Sequence, residues 1–280
     1  MMQKISPIIQ PAELINLDAA DFMLIDASAG SKARYDENHL AGAFYIDLNT
    51  DLAEIKDFAV GGRHPLPSLS QFATTLGQFG IEPNTHVIIY DDKNGGNAAA
   101  RFWWMLRSIG HEKVQVLNGG FNAAINAGFA TNGLKPKAES LKPYPVANWQ
   151  LATADINEVE TASKTGNQTI VDVRDVNRYA GLTEPIDLIA GHIPGAINIP
   201  FTNSLDENGF FFNPKVLNKV LAAELGDVNT DELIVHCGSG VTACHLLLAM
   251  DYAGLPIPKL YVGSWSEWSR NDKDMILAKQ

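Results

Sequence analysis

The chain repeats itself, and that duplication limits its fold more than any other feature. Met23-Leu24-Ile25-Asp26, an apolar run closing on aspartate, returns as Thr169-Ile170-Val171-Asp172. Arg34-Tyr35 returns as Arg178-Tyr179, and His39-Leu40-Ala41-Gly42-Ala43 as His192-Ile193-Pro194-Gly195-Ala196. Val87-Ile88-Ile89-Tyr90-Asp91 pairs with Leu233-Ile234-Val235-His236-Cys237. Val116-Leu117-Asn118-Gly119-Gly120-Phe121 pairs with Tyr261-Val262-Gly263-Ser264-Trp265. The offsets lie near half of the 280 residues, so this is a tandem duplication and not a short-period solenoid. In each half short apolar runs alternate with longer helical patterns, which predicts a mostly parallel sheet covered by helices. Helices are expected over about 69–79, 98–109, 214–225 and 241–252. The Pro- and Lys-containing stretch 134–149 reads as an extended linker between a domain over 1–140 and a second over 150–280.

Composition narrows the functional classes. Hydrophobic residues make up 46% of the chain, enough for two cores. No run of eighteen apolar residues is present, so no membrane span is expected. The start, MMQKISPIIQPAEL, is too polar for a signal peptide. Two cysteines fit a reducing cytoplasm better than a disulfide framework. A net charge of −11 disfavours nucleic acid as a partner but says nothing about a small anionic substrate, which responds to local charge.

The stretch 232–254, ELIVHCGSGVTACHLLLAMDYAG, reads as strand, tight loop and helix. Cys237 sits where the strand ends and faces a helix start. Unpartnered N–H groups and the positive end of the helix dipole favour a thiolate there, or any negatively charged sulfur. Gly238 and Gly240 let the backbone of 238–242 curl with its N–H groups inward. Other loop chemistries lack their residues. A phosphate-binding P-loop needs Gly-Lys-Ser/Thr, a cysteine phosphatase needs an arginine where Ala243 stands, and a zinc site needs more convergent ligands than Cys237, Cys244, His236 and His245. Cys244 falls inside the helix as a packing residue. The counterpart of Cys237 in the first half is Asp91, so one copy carries a nucleophile and the other a structural carboxylate or helix cap.

HLAGA and HIPGA, GGRHPLP at 61–67, CGSGVTAC and YVGSWSEW together resemble the rhodanese family of sulfurtransferases in its tandem two-domain form. The resemblance implies an α/β fold of two rhodanese-like domains, each a mostly parallel sheet flanked by helices, with the catalytic cysteine in the second alone. It implies that Cys237 takes a sulfane sulfur from a donor as a persulfide and passes it to a thiol such as thioredoxin, or to cyanide. No metal or organic cofactor is implied. Cys237-Gly238-Ser239-Gly240 is similar to the loop of members that use 3-mercaptopyruvate, in which a serine and a histidine form a relay; Ser239 and His64 match them. The carboxylate of that relay aligns with Asn49, two residues from Asp47. Arg178 matches a substrate-carboxylate arginine. The second arginine usual about nine residues later is absent from GLTEPIDLIA at 181–190, which leaves thiosulfate open as donor.

Chemistry supports the same assignments independently. A backbone N–H cradle, including those of Gly238, Gly240, Val241 and Thr242, suits an anionic sulfur. An anionic donor needs a cation, and Arg178 follows a strand's carboxyl end, where parallel α/β folds bind ligands. Its structural alternative is an ion pair with Asp172 or Asp175. His64, in a loop, can move a proton near neutral pH. His39 and His192 occur in both copies, which points to hydrogen bonding within the fold, and Arg174 is expected to be structural. The competing class is a non-catalytic pair of rhodanese-like modules that only binds.

Overall fold

The computed structural model describes residues 5–226 and 228–278; residues 1–4 of the N-terminal stretch lie outside them. The chain forms two compact units. One holds residues up to Leu52, Pro67–Leu151 and Glu207–Phe210; the other holds Ala53–Leu66, Ala152–Asp206 and the chain from Phe211 onward. The contiguous ranges 1–140 and 150–280 do not contain this exchange of segments. Contacts between residues far apart in sequence decide it, and periodicity carries no trace of them.

The first unit is built on β1 (Ile8–Ile9), β2 (Met23–Asp26), β3 (His39–Leu40), β4 (Phe44–Tyr45), β5 (Val87–Tyr90), β6 (Val114–Leu117) and β7 (Thr131–Asn132). Five of these form a parallel sheet in the order β1-β6-β5-β2-β4, and β3 pairs with β7 antiparallel. The second unit uses β8 (Thr153–Ala154), β9 (Thr169–Asp172), β10 (Ile197–Asn198), β11 (Leu233–His236) and β12 (Lys259–Tyr261). Read from β8, their order is β8-β12-β11-β9-β10, all parallel, the same arrangement strand for strand. The central strands β5 and β11 are buried throughout, as expected of strands covered on both faces.

Helices Leu69–Phe79 and Pro214–Leu225 start and stop where the sequence signals place them. Ser68 and Asn213 cap them by accepting from the Gln71 and Val216 N–H groups, and Gly80 and Gly226 close them. The stretch 134–149 is extended, but it does not float. Leu141 and Tyr144 donate their N–H to the Gly77 and Ala73 carbonyls at 2.8 and 2.9 Å, and Trp149 stacks on Phe72. Among the described residues no helix is long and apolar enough to cross a membrane.

The two histidine motifs are structural in both copies. His39 Nδ1 lies 2.6 Å from the Tyr35 carbonyl and its ring stacks on Tyr35; His192 Nδ1 lies 2.8 Å from the Tyr179 carbonyl and stacks on Tyr179. Each tyrosine hydroxyl then donates to a carbonyl of the following turn, Ala43 or Ala196.

Asp91 ends β5, and its carboxylate fills the loop that follows. It accepts N–H bonds from Lys93 and Gly95 on one oxygen and from Asn97 and Ala99 on the other, at 2.8–3.2 Å. Ala99 opens the helix Ala99–Ser108, so Asp91 is a structural carboxylate that also takes that helix's first N–H, while Ala98 holds the N-cap position. Burial pushes the Asp91 carboxyl up, against the four N–H groups that favour its charge. Asp91→Ala strips the acceptor from two buried donors, Gly95 and Ala99, each worth roughly 1–3 kcal/mol when left unsatisfied, and from the Lys93 and Asn97 N–H groups, whose bonds are part-buried. It is expected to lower the stability of the first unit by at least about 3 kcal/mol, read as a fall in its urea unfolding midpoint; a loss below about 1 kcal/mol would mean that water replaces the carboxylate.

Candidate active site

Cys237 follows β11 directly and is 3% exposed. Its carbonyl accepts the Trp265 N–H at 3.1 Å, and the Gly238 carbonyl accepts the Ser266 N–H at 2.8 Å. In the first unit the Asp91 carbonyl accepts the Phe121 N–H at 2.9 Å, so the two strand ends are held alike. Gly240 has φ +72°, and a Cβ there would lie 2.4 Å from the Val262 carbonyl oxygen; only glycine lets the loop lie this close to the chain after β12.

The helix begins at Ala243, two residues later than expected from sequence. Val241 and Thr242 form a tight turn instead, with Cys244 N–H on the Val241 carbonyl and His245 N–H on that of Thr242. Gly238, Ser239, Gly240 and Val241 are all buried around the cysteine, with Thr242 half-buried. Cys244 is buried in the helix, its Sγ 3.4 Å from the Gly240 carbonyl, as a packing residue would be.

Ser264 occupies the left-handed region at φ +54°, where the first copy has Gly120 at φ +61°. A serine there carries strain of about 1 kcal/mol. Its hydroxyl accepts the Cys237 N–H at 3.2 Å and donates to the Tyr261 carbonyl at 2.9 Å, which ties the cysteine's backbone to β12.

The loop at 61–66 belongs to the same unit as Cys237. Gly61 N–H donates to Glu267 Oε1 at 2.7 Å and Arg63 N–H to Ser266 Oγ at 3.0 Å. Gly62, at φ +77°, approaches so closely that a Cβ would sit 2.3 Å from the Gly263 carbonyl oxygen. This docking places His64 Nδ1 2.8 Å from Ser239 Oγ. Asp47 spends its carboxylate on its own turn, accepting from Asn49 and Thr50 N–H at 2.8 and 3.1 Å.

Arg178 is not paired with Asp172 or Asp175 as its structural alternative required. In the first unit Arg34 grips the strand-end Asp26 with two nitrogens, at 2.8 and 3.1 Å. In the second, Arg174 stands where the first copy has Ser28 and takes Asp172, at 2.6–3.0 Å, while lying over the Trp265 ring. Burial pushes Asp172 up, but Arg174 and His236 outweigh it and hold its carboxyl below the ordinary value. Arg178 is thereby released. It turns to Glu184 at 2.7 Å and to Asp187 at 3.5 Å, and its Nη2 lies 3.3 Å from where a Cβ on Gly238 would be. Arg63 Nη2 reaches within 3.0 Å of the same point.

Arg63, Glu184, Asp187 and Arg270 were not singled out from the sequence. Arg63 stood beside His64 in GGRHP, and the two acids lie in the segment noted only for its missing arginine. Arg270 had no local signal. Among the described residues no group of three or more His, Cys, Asp or Glu is arranged to hold a metal ion.

The family model for the rhodanese-like domain matches twice, at residues 10–127 and 155–271. The chain belongs to the rhodanese family. Among its relatives is a probable 3-mercaptopyruvate sulfurtransferase of Pseudomonas aeruginosa, 40% identical over 95% of this chain and 93% of that protein. The thiosulfate sulfurtransferase of Rattus norvegicus is 36% identical over 86% of this chain and 80% of its own length. The solved structure of 3-mercaptopyruvate sulfurtransferase from Leishmania major superposes with a TM-score of 0.82 at 27% identity, covering 95% of this chain and 74% of that one. The tandem α/β rhodanese fold implied by the resemblance is therefore the fold observed.

The strain at Ser264 makes a prediction for this rhodanese site. Ser264→Gly relieves the backbone but removes the acceptor for the Cys237 N–H. Unfolding free energy should change by no more than about 1 kcal/mol, while single-turnover sulfur loading slows about tenfold as the nucleophile loses its anchor. Equal loading rates in the two proteins would leave the serine without this role.

Proposed function

We propose that this chain is a sulfurtransferase that moves a sulfane sulfur from 3-mercaptopyruvate to a thiol acceptor such as thioredoxin, or to cyanide, through a persulfide on Cys237. The observation that carries the reading is the buried loop at the end of β11. There Cys237 lies two residues from Ser239, Ser239 is hydrogen-bonded to His64, and two guanidiniums converge on Gly238. Relatives named for 3-mercaptopyruvate and for thiosulfate support this chemistry, and thiosulfate is the alternative donor.

In the proposed reaction the Cys237 thiolate attacks the thiol sulfur of mercaptopyruvate. The sulfur–sulfur bond forms as the carbon–sulfur bond breaks, its electron pair goes to the enolate of pyruvate, and the donor's thiol proton is delivered to that carbon. Ser239 and His64 carry the proton, and Arg178 holds the donor's carboxylate. The N–H groups of Gly238, Gly240, Val241 and Thr242 face the charge on the outer sulfur. The acceptor thiolate then attacks the outer sulfur and Cys237 leaves as thiolate. In this reading the unit containing Asp91 supports the other, since its cradle already holds a carboxylate. Two free cysteines fit a cytoplasmic setting.

Mixing the protein with each donor and weighing the intact chain tests the reading. One added sulfur is expected, absent in Cys237→Ser. Loading by neither donor onto folded protein would leave a binding module in place of an enzyme. His64→Asn and Ser239→Ala should slow loading from mercaptopyruvate about 100-fold, because the leaving carbon needs a proton. They should slow loading from thiosulfate much less, since sulfite departs without one. Equal effects on both donors would remove the proposed relay.

A further inference from the structure

The reaction proposed above leaves Asp187 without a task. Its side chain is fully buried, and three guanidiniums from separate segments converge on it. Arg63 binds through Nε to Oδ1 at 3.0 Å and Nη2 to Oδ2 at 3.4 Å. Arg178 Nη2 lies 3.5 Å from Oδ2, and Arg270 Nη1 3.2 Å from Oδ1. The cluster sits against the residue that follows the nucleophile: a Cβ on Gly238 would meet Arg63 Nη2, Arg178 Nη2 and Asp187 Oδ2 at 3.0, 3.3 and 3.5 Å.

The balance of charge at this point is narrow. Arg174 and Arg178 also share Glu184, and Arg174 holds Asp172. Four arginines therefore face three carboxylates and, in the proposed reaction, the Cys237 thiolate, so the charges beside Gly238 cancel. A donor with a single carboxylate brings one uncompensated negative charge; a dianion such as thiosulfate brings two. Removing the charge of Asp187 would leave one unit of positive charge, which favours the dianion more than the monoanion.

We infer that Asp187 is a specificity-determining residue, which cancels one arginine charge beside Gly238 and restricts the site to donors carrying one negative charge. This rests on the sulfur-transfer reading of Cys237. Asp187 also braces Arg63 and Arg178 against each other, so their positions beside the loop are fixed before a donor arrives.

The test compares kcat/KM for thiosulfate and for 3-mercaptopyruvate in the native protein and in Asp187→Asn, which keeps the shape and removes the charge. The thiosulfate-to-mercaptopyruvate ratio should rise about tenfold, mainly through KM for thiosulfate, with a steeper dependence of that KM on salt. Arg270→Gln lowers the local positive charge and should move the ratio the other way, so it carries the test if Asp187→Asn fails to fold. A ratio steady within twofold in the folded variants, or both donors falling together, overturns the inference. If the native protein takes sulfur from neither donor, the sulfur-transfer reading fails by itself. Calorimetric binding of sulfate and pyruvate then still decides the charge question: sulfate should gain about tenfold over pyruvate in Asp187→Asn, and an unchanged ratio overturns it.

Discussion

A loop that curls off the end of a parallel strand turns its peptide N–H groups toward one point, and something negative must stand there. In the first unit the occupant is Asp91, held by four N–H groups. A carboxylate in that cradle cannot be exchanged, and the loop is closed. In the second unit the same register carries Cys237, which under the proposed function gains and loses a further sulfur there. At the end of the central strand the two copies thus differ in one side chain, a carboxylate in the first and a thiol in the second. Much of the rest of the second unit, from Gly240 against Val262 to Ser264 beneath the cysteine, keeps that position still.

A second exchange of partners lies behind the first. In both copies an aspartate ends the strand beside the central one, and a buried carboxylate there needs a cation. The first copy supplies Arg34. The second supplies Arg174 from two residues beyond Asp172, and this frees Arg178 to face the loop. Arg178 was freed for the loop by moving the structural task to a neighbour.

The duplication, the parallel sheets, the cysteine loop, Asp91 as a structural carboxylate and the histidine hydrogen bonds were all legible, because each is written in local residue types and spacing. Two kinds of feature were not. The helix start at Ala243 follows from a tight turn at Val241 and Thr242, which no cap residue marks. The cluster of Arg63, Arg178, Asp187 and Arg270 brings Arg63 to Asp187 across 124 positions and Arg270 across 83, and nothing in a periodic pattern tells which distant charges will meet. The segment at 181–190 was noted for the arginine it lacks; its meaning lies in the acid it has, and in arginines that arrive from elsewhere.

The interlacing of the two units also has a consequence for how the chain comes into being. His64 precedes Ser239 by 175 residues, yet both lie in the second unit. During synthesis the segment Ala53–Leu66 emerges while β8 to β12 do not yet exist, so it must wait for its unit through the making of Pro67–Leu151, the larger part of the first unit. The second unit is therefore the last part of the chain that can be completed, and the Cys237 thiol is enclosed only when the final strand and the helix Ser264–Trp268 have been made. Until then the polypeptide carries a cysteine but no site.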